Sequence, residues 1–225
     1  MVFGREEEML APVRCWLEAQ GMSVQCEVKT PWGYCDVVGC CLDETRVQKR
    51  LELRQLRQVR NHRLIEILWR LPDAESGCSM SLLDLINSMA HNVKKEKLAT
   101  DLGFLVAGNF VQETRPNSFQ KLNGWFPLQK HLVAVELKLA RVSDVIAQAN
   151  SNTHFAETSY AAMPKEVALR AASSRYEEFL EAGIGLLAVE PDSCTVLIEA
   201  GNRVAGDELL QAACVERFWA PQCRT

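Results

Sequence analysis

The stretch His131-Leu132-Val133-Ala134-Val135-Glu136-Leu137-Lys138-Leu139 (HLVAVELKL) decides the fold. Its β-branched and aliphatic residues predict a strand, and their near-continuous run predicts a central one that is largely buried. Side chains alternate along a strand, so Glu136 and Lys138 are expected on one face and Val135 and Leu137 on the other. Charged groups in such a strand are costly unless paired or bound to a metal. A cross-strand salt bridge on a wetted face is one explanation, and a reactive site is the other.

Strand and helix alternate after this segment. Residues 143–150 read as a helix capped by Ser143 or Asp144, 159–163 as a short strand ended by Pro164, and 168–182 as a helix closed by Gly183. Residues 184–189 and 195–198 make a second hairpin around Pro191-Asp192-Ser193. At the other end, Met9, Leu10, Val13, Trp16 and Leu17 recur at helical spacing within 5–20, and Gly21 follows as a cap. Two extended segments, 24–29 and 34–42, join through the turn residues Thr30-Pro31-Trp32-Gly33. The fold class is therefore α/β, with a central mixed sheet flanked by helices.

Asp36 lies mid-strand beside Tyr34, Val37 and Val38. If its strand neighbours the Glu136 strand, two carboxylates and one ammonium converge. Hard oxygen ligands of that kind suit Mg²⁺ or Mn²⁺, which complete octahedral sites with water and substrate phosphate. That is a phosphodiesterase site in outline.

Between residues 42 and 131 lie roughly ninety residues, far beyond an ordinary loop of about 4–6. Residues 45–60 look helical and basic, and Leu64, Ile65, Ile67, Leu68 and Leu71 continue with helical spacing until Pro72. Shorter helices are expected over 81–89 and 93–106. Extended residues over 110–126 follow, interrupted by Arg115-Pro116-Asn117-Ser118. Three helices and a hairpin are the order of a winged helix. The boundaries read as 1–44 with 127–225 for the core and 45–126 for an inserted winged-helix-like domain.

Net charge is −4, which argues against a surface that grips nucleic acid everywhere. Locally the balance reverses. Arg46, Lys49, Arg50, Arg54, Arg57, Arg60 and Arg63 face Glu52 as the only acid of that run, and Lys94, Lys95 and Lys97 follow. Such a run is either a solvated helix face or a phosphate-binding one. The nine cysteines form no CxxC pair and read as reduced core residues, with a zinc site as the alternative. The four histidines lack HxxxH or HExxH spacing. The segment MVFGREEEML has acids where a secretory signal needs a basic start, and no run is long enough to span a bilayer, so a cytoplasmic protein with no membrane partner is expected.

The order helix with an N-terminal Glu, strand, strand with Asp36, strand with Glu136-x-Lys138, helix, strand resembles the restriction-endonuclease-like PD-(D/E)xK nuclease superfamily. The resemblance covers 5–43 and 131–199, with Cys35 standing where the motif's name has proline. It implies a Mg²⁺- or Mn²⁺-dependent nuclease hydrolysing DNA phosphodiester bonds. Asp36, Glu136 and the Leu137 carbonyl would be the metal ligands, and Lys138 would orient water or stabilise developing charge. Gln148 looks like the glutamine often found in the following helix, and Glu8, or its neighbours Glu6 and Glu7, like the first-helix acid of some branches. By analogy with winged helices, the 93–106 helix would enter the major groove with Lys94, Lys95 and Lys97 near phosphates, and Arg54, Arg57 and Arg60 would add phosphate contacts. Double-strand cleavage with one site per chain would favour a two-fold homodimer. Two further classes remain open: a nuclease-fold DNA-binding or regulatory protein without activity, and a protein-interaction module that meets no nucleic acid.

Overall fold

The Pro31-Trp32 turn brings β1 (Ser23–Thr30) and β2 (Gly33–Leu42) together as an antiparallel hairpin, with Thr30 opposite Gly33. A computed structural model describes residues 3–122, 125 and 127–219. Phe126 and Cys223, to which the sequence assigned an extended segment and a thiol, lie outside the described residues, as do the expected domain ends at 1 and 225. Before the hairpin, the expected first helix begins as a 3₁₀ turn, Glu6–Met9, and continues as α1 (Leu10–Glu18). By contacts the chain divides into two units. The first comprises residues up to Leu42 with Gln129–Gln211, and the second comprises Asp43–Leu128 with residues from Ala212 onward.

In the second unit α2 (Glu44–Glu52) and α3 (His62–Arg70) are separate helices, so the basic helix expected over 45–60 stops early. Arg54 adopts the left-handed region at φ 53°. Its N–H donates to the Leu51 carbonyl and that of Gln55 donates to the Arg50 carbonyl, the paired bonds of a Schellman end. The short strand β3 (Met80–Ser81) leads into α4 (Leu82–Ser88) and α5 (Lys95–Ala107). Then β4 (Val111–Arg115) and β5 (Ser118–Lys121) form a hairpin that turns at Asn117, φ 59°. The three strands pair in the order β3-β5-β4. Leu64, Ile65, Leu68, Leu85, Leu98, Leu102 and Leu105 from the three helices are buried.

The C-terminal residues correct the expected boundary, because 212–219 group with this second unit. Arg50 is fully buried, its guanidinium bonded by Nη1 and Nη2 to Glu216 at 2.5 and 2.9 Å and lying over the rings of Phe110 and Trp219. A buried arginine needs such a partner, and this chain supplies it from its far end.

The first unit resumes with β6 (Gln129–Leu137), α6 (Val142–Asn152) and β7 (Thr158–Pro164). The helix expected over 168–182 is two, α7 (Lys165–Ser174) and α8 (Tyr176–Ala182), broken at Arg175, whose φ of −134° and ψ of 23° leave the helical region. A closing hairpin, β8 (Gly185–Glu190) and β9 (Ser193–Ile198), precedes α9 (Glu208–Val215). The six strands run β1-β2-β6-β7-β8-β9, with β6, β7 and β8 parallel and the outer pairings antiparallel. The chain is thus α/β with a mixed central sheet flanked by helices.

Alternation assigns the two faces. Val133, Val135 and Leu137 pack with Met9, Val13 and Leu17 of the first helix, whereas Ala161, Met163, Leu186 and Ala188 pack with Val145, Ala149, Ala168 and Phe179 of the others. Gly39 allows α1 to lie close on β2, since a Cβ there would stand 3.0 Å from Leu17 Cδ2 and from Met22 Sδ. No helix among the described residues is long and apolar enough to cross a membrane.

Candidate metal centre

Asp36 and Glu136 meet because β2 and β6 are antiparallel neighbours in a register that pairs Val37 with Val135. One step further the ladder ends. There the Leu137 N–H, which points toward β2, donates to Asp36 Oδ2 at 2.7 Å, so the carboxylate takes a backbone donor at the end of the pairing. Glu136, on the face opposite Val135 and Leu137, is only 3% exposed. Burial, and then the facing Asp36 carboxylate, push its carboxyl up to about 7, while Asn152 and Lys138 pull it down. Two acids pressed together cannot both ionise cheaply without a counter-charge.

Lys138 follows the last residue of β6, and its N–H continues the pairing to the Ala162 carbonyl at 3.1 Å. Its Nζ donates to Glu6 Oε2 at 3.0 Å and to the Leu137 carbonyl at 3.1 Å. The first-helix acid that reaches the site is therefore Glu6, not Glu8. Glu8 instead accepts the Gly4 N–H at 2.7 Å, closing the turn in which it sits.

The helix contribution also differs from expectation. Gln148 is exposed on α6, and the residue that reaches the carboxylates is Asn152, one turn later. Asn152 Nδ2 donates to Glu136 Oε1 at 2.7 Å and lies 3.4 Å from Cys35 Sγ, while its Oδ1 is buried without a partner among the described residues. An asparagine on the last turn of a polar helix gave no sequence signal. Its spacing of four from Gln148 is the one available hint.

Asp36 and Leu137 line a cleft of about 430 Å³ with Glu6, Glu7 and Glu27, whereas the buried Glu136 is not among the residues that line it. Glu27 is a second residue that sequence reading passed over. It holds φ 52° in the middle of β1, where a bulky side chain pays for a left-handed backbone.

Asp36 and Glu136 thus face each other, and Lys138, paired with Glu6, acts on Glu136 from the end of β6. The surplus negative charge and the all-oxygen donors fit a hard divalent cation. Among the described residues, no group of three or more His, Cys, Asp or Glu side chains is placed to share one ion. Asp36, Glu136 and a backbone carbonyl would leave the remaining positions to water and substrate, as Mg²⁺ usually does.

The basic run divides in the structure. Arg46 donates to the Pro127 carbonyl, Arg50 is buried, and Arg63 pairs with Asp101, so three of its cations serve the second unit itself. Arg54, Arg57 and Arg60 are exposed on the segment between α2 and α3, with the Arg57 guanidinium 5.1 Å from the Phe104 ring centroid. Lys94 and Lys97 border one cleft, with Asn61, His62 and His91, while Lys95 borders another with Leu83 and Pro116. The three lysines are therefore not one patch.

Comparison of the chain with family models, with curated proteins and with solved structures found no match. What can be said of its chemistry rests on the residues just described.

Proposed function

We propose that the chain is a divalent-metal-dependent nuclease of the PD-(D/E)xK type that hydrolyses DNA phosphodiester bonds. The observation that carries the reading is the meeting of Asp36 and Glu136 across adjacent strands, with Lys138 at the end of the second. Asp36, Glu136 and the Leu137 carbonyl are the groups that would hold Mg²⁺ or Mn²⁺. Bound there, such an ion would supply Lewis acidity toward the phosphate and would lower the pKa of a bound water from about 15.7.

The chain's own groups do the rest. Asn152 holds one oxygen of Glu136, and the Glu136 carboxyl also hydrogen-bonds Asp36. Lys138 stands where its ammonium can stabilise charge on the phosphoryl oxygens, and Glu6 keeps it there until a phosphate competes for it. In the second unit, the helices α3, α4 and α5 with the β4–β5 hairpin have the connectivity of a winged helix. The exposed Arg54, Arg57 and Arg60 and the lysines of α5 supply cations for the DNA backbone.

Cleavage of plasmid and oligonucleotide DNA in Mg²⁺ and in Mn²⁺ tests the reading. The wild type cleaves, whereas Glu136→Gln and Lys138→Ala lose cleavage and keep their folded circular-dichroism spectra. Activity that persists in both variants defeats the proposal.

A second reading is a nuclease scaffold that binds DNA without cutting it. It is favoured by the lack, among the described residues, of a third acidic, cysteine or histidine side chain placed to share an ion. It expects salt-dependent DNA binding with no turnover in any divalent metal. Losing one phosphate contact, as in Arg57→Ala, then reduces the log–log salt slope by about 0.9 on duplex DNA.

A further inference from the structure

The helices α3 and α5 of the second unit begin beside one cleft of about 560 Å³, and basic side chains from both line it. His62 and Arg63 come from the first turn of α3, Lys94 and Lys97 from the cap and first turn of α5, and His91 from the segment just before it. Glu66 is the one carboxylate among the described lining residues.

The ion pairs of the unit do not use this charge up. Asp101 takes the Arg63 guanidinium through Nε and Nη2 and lies 3.9 Å from Lys97 Nζ. Glu66 is buried and holds the Arg70 guanidinium and the Ala90 N–H, both at 2.8 Å. Lys94 and His91 make no side-chain hydrogen bond or ion pair among the described residues. The lining residues and their ion-pair partners thus comprise four cations, Arg63, Arg70, Lys94 and Lys97, against two carboxylates, Glu66 and Asp101.

A run of lysines on an open helix face is ordinary, since each head group turns into water. Here basic groups from two separate elements converge on one concavity, where their like charges repel unless an anion sits among them. An excess of two positive charges matches a phosphate monoester, which carries about −1.5 to −2 near pH 7, better than a backbone diester with a single charge. A monoester has one substituent and enters a concave site end-on, whereas a backbone phosphate is flanked by sugars on both sides. Lysine meets phosphate as a point charge, and imidazole N–H groups add donors.

We infer that this cleft binds a phosphate monoester, carried by a free mononucleotide or by the end of a DNA strand, with Lys94 and Lys97 as its main cations and His62 and His91 as donors. The site goes beyond the nuclease reading and requires neither Asp36 nor Glu136.

Isothermal titration calorimetry of the full chain in EDTA, with thymidine 5′-monophosphate against thymidine, tests the site without turnover. The monophosphate binds and thymidine does not. Lys94→Gln and Lys97→Gln each weaken the monophosphate about 10- to 100-fold, as for one lost charge-assisted contact. Both lysines are exposed, so neither change disturbs the fold. Lys95→Gln removes the same charge beside a different cleft and binds the monophosphate as the wild type does.

Fluorescence anisotropy on a labelled twelve-nucleotide oligo-dT, phosphorylated at its 5′ end, its 3′ end or neither, identifies the source. Tighter binding of a phosphorylated strand, lost in Lys94→Gln, assigns the site to a DNA end. Equal binding of the three strands beside binding of the monophosphate assigns it to a free nucleotide. No preference for the phosphate in either assay, or an equal loss from Lys95→Gln and Lys94→Gln, overturns the site. DNA cleavage, measured separately, decides the nuclease reading whichever result is found.

Discussion

The Asp36 carboxylate accepts the backbone N–H of Leu137 at 2.7 Å, which ties the β2 acid to the strand that carries Glu136. This bond spans 101 positions of chain and holds the two carboxylates together. It also sets their electrostatic consequences.

The first consequence is an inverted pH dependence. The Glu136 carboxyl is held at about 7, above the usual value of about 4.3 for an unfolded Glu, so the folded chain binds this proton more tightly than the unfolded one. Stability from this group is therefore full below about pH 4.3, falls as pH rises toward about 7, and is flat beyond, a loss on the order of 3–4 kcal/mol. Metal-free urea unfolding of wild type and Glu136→Gln, compared across that range, checks it. The wild type loses ground to the variant as pH rises, and parallel curves contradict the assignment. Mn²⁺ at about 100 times its Kd restores about 2.7 kcal/mol to the wild type at pH 8.

Asn152→Ala removes the donor on Glu136 Oε1. We expect a loss of about 1–3 kcal/mol in unfolding free energy, as for a buried group left without its partner. Mn²⁺ binding, followed by electron paramagnetic resonance, weakens about 10- to 100-fold, the usual effect of removing a group that orients a metal ligand. Gln148→Ala, altering an exposed residue, changes neither. Equal effects from the two substitutions would place the α6 contribution elsewhere.

Glu6 and Glu8, two residues apart, have different partners, Lys138 and the Gly4 N–H. The Glu6–Lys138 pair is partly exposed, so Glu6→Gln costs under about 1 kcal/mol of stability. On the nuclease proposal, the same change frees the ammonium and alters the cleavage rate and its pH profile. Glu8→Gln weakens only the turn at Gly4 and leaves the rate alone. A rate change confined to Glu8→Gln reverses the assignment of the first-helix acid.

The buried Arg50–Glu216 pair gives the largest expected stability effect. Glu216→Gln leaves a fully buried guanidinium short of charge and costs about 3–5 kcal/mol, whereas Arg50→Met with Glu216→Leu recovers most of the loss. Chemical denaturation of the single and double variants gives the comparison. A single variant within about 1 kcal/mol of wild type shows that the pair carries no such weight.

Where charge sat on an apolar strand, the sequence spoke clearly. Asp36, Glu136 and Lys138 stood out because Val37, Val135 and Leu137 around them predict burial, and their strands do pair. The hairpin at Pro31-Trp32 was legible from turn chemistry, and the helix–strand alternation after residue 131 from its periodicity. The end of α2 was not, because the left-handed position is filled by Arg54 where glycine is the usual marker. Glu6 was hidden for a different reason. Glu6, Glu7 and Glu8 are alike as residues, and only the 3₁₀ geometry decides which one faces Lys138. The basic run misled by counting charges, since Arg50 and Arg63 carry a surface composition into interior and half-buried pairs.

Each unit is assembled from two separated lengths of chain, one lying between the halves of the other. During synthesis from the N-terminus, residues 1–42 wait for the strands after 129, and Arg50 waits for Glu216. Neither unit can be excised as one continuous fragment. A released chain ending at residue 211 would carry all six strands of the sheet but lack Glu216, the partner of the Arg50 guanidinium.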